Sequence, residues 1–132
     1  MPPEASIRAI TAADFGPLAA MGLDQTIAMR AQAQDMGWVL GNGDEIFGAA
    51  TAYLTDGTVF LDRLLGSEPA QLQLIDHALA YARWSYAPAL TLCAPANADT
   101  LLARGFVGID PDRLTSGLHA AANGRKVLMR RL

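Results

Sequence analysis

The sequence predicts a single α+β domain with a mixed central β-sheet and flanking helices, in the order β-α-α-β-β-β-α-β-α-β-β. Three observations carry that reading. From Gly37 to Leu65 the apolar residues follow a period of two, interrupted by two turn segments, so three strands run on as a meander. Directly afterwards, Leu72, Ile75, Leu79, Ala82 and Tyr86 recur at spacings of three and four, the apolar stripe of a long helix. Beyond Pro88 short strand-type and helix-type segments alternate to the end. With 132 residues, 52% of them apolar, the chain can bury one ordinary core and is too short for two domains of typical size.

Each element has its own local reason. Ser6-Ile7-Arg8-Ala9-Ile10 alternates like a short strand, and Thr11, three residues before Asp14, makes a capping-box pattern at a helix start. Phe15, Leu18 and Ala19 follow at helical spacing, with Gly22 as the stop. A second helix is expected from Asp24 to Gln34, with Ile27, Ala31 and Met36 facing inward. Trp38-Val39-Leu40 is the first meander strand, Gly41-Asn42-Gly43-Asp44 the turn, and Glu45–Leu54 its antiparallel partner. Thr55-Asp56-Gly57 is the next turn and Thr58–Leu65 the third strand. Trp38, Phe47, Tyr53 and Phe60 fall in this meander as core or sheet-face aromatics.

Ser67-Glu68-Pro69 opens the long helix: serine caps, the acid suits the positive helix end, and proline is tolerated in the first turn. Ala89–Cys93 is a buried-type strand, Ala98–Arg104 a short helix bounded by Asn97 and Gly105, and Phe106–Ile109 a strand. Asp110–Gly124, rich in Pro, Gly, Ser and Asn, is expected to be a long loop before a terminal strand at Arg125–Leu132.

Composition narrows the function. The net charge is −3, Lys126 is the one lysine, and the nine arginines are scattered, so no basic stripe exists to track a nucleic-acid backbone. The start, Met1-Pro2-Pro3-Glu4, lacks the form of a secretory signal, and no uninterrupted apolar stretch is long enough for a membrane span. The expectation is a cytoplasmic protein. Cys93 has no partner for an internal disulfide and sits among apolar neighbours as an inert thiol. His77 and His119 stand 42 positions apart with no acid at metal spacing, so no metal site is expected. Ser67 and Ser85 lack the Gly-x-Ser-x-Gly setting of a hydrolase. Gly41-Asn42-Gly43 joins two strands and opens no helix, so it is a hairpin turn and no nucleotide loop.

The opening Ile7–Phe15, the strand-helix unit Leu64–Arg83, Leu90-Thr91-Leu92, Asn97 and Arg104-Gly105-Phe106 together give the chain a form that resembles the GNAT superfamily of N-acetyltransferases. The resemblance spans essentially the whole chain. It implies that acetyl-CoA lies in a splay between the fourth and fifth strands, its pantetheine along the backbone of Leu64, Leu65 and Gly66. It also implies that the pyrophosphate meets the helix N-terminus at Ser67, Ala70 and Gln71, and that Asn97 belongs to the cofactor site unless it serves only as a helix cap. Two departures stand out. The family's Arg/Gln-x-x-Gly-x-Gly/Ala signature falls on Gly66-Ser67-Glu68-Pro69-Ala70-Gln71, so its first glycine becomes Pro69, which has no N–H, and Glu68 adds negative charge. The tyrosine that many members place four residues before the glycine of Gly-Phe is Leu101, which cannot donate a proton.

Amine acetylation needs a base for the ammonium proton. Asp62, on the strand where relatives carry an acid, is the candidate catalytic residue, with Glu45 as the other choice and a solvated strand acid as the plain alternative. The expected activity is transfer of an acetyl group from acetyl-CoA to a primary amine on a small molecule or peptide. The alternative is a catalytically silent protein of the same fold that binds a ligand or protein partner. Trp84 and Tyr86, if exposed, would mark a homodimer contact.

Overall fold

A computed structural model describes residues 5–43, 45–95 and 98–132. The strands are β1 (Ser6–Ala9), β2 (Gly37–Asn42), β3 (Glu45–Thr55), β4 (Thr58–Gly66), β5 (Ala89–Cys93), β6 (Val107–Ile109) and β7 (Val127–Arg131). The helices are α1 (Phe15–Ala20), α2 (Gln25–Ala33), α3 (Glu68–Trp84), α4 (Asp99–Ala103) and α5 (Ser116–Ala122), with 3-10 turns at Ala12–Asp14 and Pro111–Arg113. The seven strands form one sheet in the order β1-β2-β3-β4-β5-β7-β6. β4 and β5 run parallel while β1–β2, β2–β3, β5–β7 and β6–β7 run antiparallel, so the sheet is mixed, as the sequence predicts. No helix is long and apolar enough to cross a membrane. Backbone contacts divide the chain into two compact units, Met1–Tyr53 with Arg63–Ala78 and Leu54–Asp62 with Leu79–Leu132.

In the first unit, β1 lies antiparallel to β2 with Arg8 opposite Val39. Asp14 is buried to 4% exposure, and a buried carboxylate must be fully bonded to be tolerated. Arg8 donates to it through both Nη atoms, each at 2.7 Å, and the Thr11 N–H adds a bond of 2.8 Å. The predicted capping box therefore exists, on the 3-10 turn that leads into α1. Asp24 caps α2 by accepting from the Thr26 and Ile27 N–H groups. Ile10, Leu18, Leu23, Ala28, Val39 and Ala49 form the buried cluster of this unit. Ala31 and Met36 are inward as expected, whereas Ile27 is only half-buried because Ala28 takes the innermost position on α2. Trp38 is buried, Tyr53 half-buried and Phe47 39% exposed, so the meander aromatics divide between core and surface.

In the second unit, Val59, Phe60 and Leu61 pair with Leu90, Thr91 and Leu92. The buried Thr58 and Thr91 hydroxyls bond each other at 3.2 Å. One expected element is wrong: Asp110–Gly124 is no loop, because α5 occupies its middle. The cause is a long-range cap. Asp56, in the β3–β4 turn, accepts from the Thr115 hydroxyl and from the Leu118 N–H at 3.0 Å, satisfying donors at the α5 N-terminus that the local sequence leaves open. The Thr115 bond holds the Asp56 carboxyl below its ordinary value. Leu118 and Ala122 then bury the inner face of α5.

The face of α3 also differs from the predicted stripe. Ala70, Leu74, Ile75, Ala78, Leu79 and Ala82 are buried, Leu72 is half-buried, and Tyr86 lies beyond the helix at 94% exposure. The helix ends at Trp84, and Tyr86 takes a left-handed φ of 61° that no helical stripe can include.

The carboxyl of Asp14 is lowered to about 2 from an ordinary 3.8, chiefly by the hydrogen bond from Arg8. A carboxyl with a lower folded than unfolded pKa gives stability that is complete above the unfolded value and is lost as pH falls toward the folded one. Asp14→Asn is therefore expected to lower the unfolding free energy at pH 7 by about 2 kcal/mol. Urea unfolding at a series of pH values should show the gap to the parent narrowing between about pH 4 and pH 2. A gap independent of pH would mean that the charge is not what matters. Asp56→Ala should expose the first turn of α5, read as faster amide exchange at Leu118 with β5 protection unchanged.

Candidate active site

The passage from β4 into α3 holds the backbone under two constraints at once. Gly66 sits at φ +115°, and a Cβ placed on it would lie 2.6 Å from the Phe47 carbonyl oxygen and 3.0 Å from Gly48 Cα. Only glycine meets both conditions, the positive φ and the contact with backbone. Gly48 is under the same pressure, since its Cβ would lie 2.7 Å from the Leu65 carbonyl oxygen.

These two glycines sit beside an irregularity in the sheet. The pairing of β2 with β3 shifts between Leu40 and Gly41, Leu40 facing Gly48 and Gly41 facing Ile46, so Phe47 is an extra residue on β3, a β-bulge. A Cβ on Gly48 would lie 3.3 Å from Ala70 Cβ and one on Gly66 3.2 Å from the same atom, so α3 closes over both. Pairing of β4 with β5 runs from Val59↔Leu90 to Leu61↔Leu92. An isolated glycine inside a predicted strand, Gly48, is the sequence signal for the bulge, whereas Gly66 falls just past the expected end of its strand at Leu65.

Beyond Gly66, the helix start is largely closed by its own groups. The Ala70 N–H reaches the Ser67 Oγ at 3.4 Å, and the Gln71 N–H bonds the Ser67 carbonyl at 2.9 Å. Gln71 Nε2 turns back to the Gly66 carbonyl at 2.9 Å. Pro69 has no N–H to offer. Of the donors that make a helix N-terminus attractive to a phosphate, the position at Pro69 is missing and that at Ala70 is already capped. The residues present do not reproduce a glycine-lined phosphate cradle.

The remaining expected residues are dispersed. Asp62 is half-buried where β4 leaves its register with β5, and Leu64 and Leu65 are half-buried after it. Glu45 is exposed at the start of β3. Asn97 lies outside the described residues, and α4 begins at Asp99 with Ala98 before it. Leu101 is buried at 1% exposure, a core residue with no proton to give. His77 is half-buried on α3 with its ring edge-on to Trp38, centroids 5.5 Å apart, and burial holds its imidazole below the ordinary value. Among the described residues, no group of three or more His, Cys, Asp or Glu gathers to hold a metal.

No family model and no curated protein matches the chain. Solved structures do. N-acetylglutamate synthase from Neisseria gonorrhoeae, complexed with coenzyme A and N-acetyl-glutamate, superposes with a TM-score of 0.81 at 19% identity, covering 100% of this chain and 36% of that one. Rv2747 from Mycobacterium tuberculosis, in complex with CoA and NLQ, gives 0.77 at 11% identity over 96% of this chain and 99% of its own. An acetyltransferase of the GNAT family from Staphylococcus aureus gives 0.74 at 12% over 97% and 99%. The chain thus spans about a third of the synthase and nearly the whole of the other two. Its fold is the GNAT fold, as the order of its elements predicts.

The glycine pair gives a direct test. Gly66→Ala forces a Cβ against two backbone atoms at an unfavourable φ and is expected to destabilise the protein by about 2 kcal/mol or more. Gln71→Ala, which removes only a side-chain bond to Gly66, should cost about 1 kcal/mol or less. Thermal unfolding followed by circular dichroism checks both, and equal effects would contradict the close approach.

Proposed function

We propose that this GNAT-fold chain is an N-acetyltransferase that moves an acetyl group from acetyl-CoA to a primary amine on a small molecule or peptide, acting as one domain across residues 1–132. The observation that carries the reading is the junction of β4 with α3: parallel pairing with β5 runs to Leu61↔Leu92, and the strand goes on through Leu64, Leu65 and Gly66 to the start of α3. A strand that runs on past its partner offers backbone donors and acceptors along that edge, where an extended amide-bearing chain such as pantetheine can pair with them. Coenzyme A accompanies the neisserial synthase and the mycobacterial protein, which supports the same co-substrate here.

Transfer breaks the acetyl–sulfur bond and forms an acetyl–nitrogen bond, with one proton released from the amine. Asp62 is the residue assigned to accept that proton, through water or directly. The buried Leu101 supplies no acid, so the departing thiolate takes its proton from solvent. This reading assigns Ser67, Ala70 and Gln71 to the pyrophosphate, and the resemblance assigns Asn97, outside the described residues, to the cofactor. This contact is weaker than a glycine-lined turn would give, because Ser67 already occupies the Ala70 N–H.

That same capping favours a second reading, a catalytically silent protein of the fold that binds a different ligand or a protein partner. The remaining assignments follow the enzyme reading. The chain works in the cytoplasm, where its single thiol stays reduced, it does not act on nucleic acid, and it forms a homodimer through Trp84 and Tyr86, which are 78% and 94% exposed.

Calorimetric titration with acetyl-CoA, with free CoA as control, separates the two functions. The enzyme reading expects binding in the micromolar range and a higher melting temperature with ligand. Pro69→Gly should tighten binding several-fold by restoring one N–H at the helix start. Asp62→Asn should lower kcat roughly 10²-fold or more with little change in acetyl-CoA affinity. No heat at millimolar acetyl-CoA, with an unchanged melting temperature, would support the silent reading.

A further inference from the structure

The C-terminal strands carry a feature that acetyl transfer does not use. Within the second unit, β6 is the last strand of the sheet, paired with β7 through Val107↔Met129, Gly108↔Leu128 and Ile109↔Val127. Among the described residues no strand pairs its other edge. An open edge is a template for another strand, and proteins usually blunt it by covering it or placing charge on it. Here Val107 is 60% exposed and Gly108 is exposed. Two surface hollows of about 520 and 550 Å³ share the wall Gly108, Ile109, Asp110 and Leu114.

The charge around this edge opposes that of the chain as a whole. Six of the ten basic side chains lie in residues 104–132, against two of the thirteen acidic ones, although the chain carries a net −3. Arg125 and Lys126 line the first hollow, and Arg113 and Arg131 line the second. All four are exposed. Gly108 leaves room for Lys126, whose Cε would lie 3.0 Å from a Cβ at that position, so the lysine stem crosses the strand. Asp110 and Asp112 are the acids of the region, and the Asp110 carboxylate already accepts the Asp112 N–H at 3.0 Å.

We propose that the free edge of β6 is a docking site for an extended peptide segment rich in Asp or Glu, which adds as a further strand and places its acidic side chains against Arg113, Arg131 and Lys126. Successive side chains of an added strand point to alternate faces. Val107 and Met129, as register partners, share one face, and Gly108 with Lys126 the other. Backbone pairing supplies affinity without a sequence code, and the flanking cations select for acidity. A second copy of this chain fits the edge less well, because antiparallel pairing of two such edges would bring the two sets of cations together. A single-stranded nucleic acid offers charge but no peptide groups for the strand to pair with.

The test uses the full chain and the acetylated, amidated peptide Glu-Glu-Val-Glu-Glu-Val-Glu, which presents acids on both faces of an added strand, as probe, followed by amide chemical-shift changes and fluorescence anisotropy. The expected result is binding that moves the Val107, Gly108 and Ile109 amides and weakens as salt rises. The combined Arg113→Glu and Arg131→Glu variant should weaken binding at least ten-fold, while Arg83→Glu on α3 should leave it unchanged, with circular dichroism confirming that both fold. Two further peptides, methylated on odd or on even backbone nitrogens, should differ at least ten-fold, since an added strand uses alternate N–H groups. Equal binding by both, or equal binding by a thymidine oligonucleotide, would leave charge alone and overturn the strand proposal. So would the absence of binding at 1 mM peptide. Sedimentation showing a dimer that Val107→Lys dissociates would overturn it in favour of a second copy.

Discussion

The approach of Gly66 to Gly48 is the constraint on which the candidate site depends. Two backbones come so close that neither position tolerates a Cβ, and Ala70 on α3 closes over both from the same side. The bulge at Phe47 on β3 lies next to Gly48, and the Phe47 carbonyl is the atom that a Cβ on Gly66 would meet first. Leu65, the residue before Gly66, packs against the cluster of Ile10, Leu18, Val39 and Ala49, which anchors the end of β4. Small residues at this junction thus let α3 start tight against the strands.

Local pattern made most elements legible and left out what distant residues decide. Strands β2 to β5 and helix α3 announce themselves through period, turn chemistry and the Ser67 cap, and their ends shift by only a few residues. The Thr11–Asp14 box was readable as well, but its burial was not, because that depends on Arg8 reaching over from β1 with both nitrogens. α5 was missed for the same kind of reason. Its sequence looks like a loop, with Gly117 inside it and proline and glycine on either side, and its stability comes from Asp56 some 60 positions earlier. A window of neighbouring residues cannot contain such a cap.

The candidate site rests on the resemblance and not on local pattern. The resemblance implies that Ser67, Ala70 and Gln71 meet an anion, and their geometry shows that much of their bonding capacity is spent on one another. Residue types alone do not reveal that a capping serine draws on the N–H groups a phosphate would need. Good capping and anion binding draw on the same few N–H groups. A helix start that is better capped is a poorer phosphate site, and Pro69 deepens that compromise by removing a donor outright.

This trade shapes how an enzyme of this fold could work without its glycines. If the helix end contributes less, a larger share of cofactor affinity must come from backbone pairing along Leu64 to Gly66, which is insensitive to side-chain identity. Backbone pairing is short-ranged and directional, whereas attraction between a phosphate and a helix end is partly long-ranged and screened by salt. Binding built mainly on the first should depend weakly on ionic strength and strongly on the backbone path from β4 into α3. The glycine pair would then carry both the stability of the α3 junction and the recognition of the co-substrate, and a substitution there could not affect one without the other.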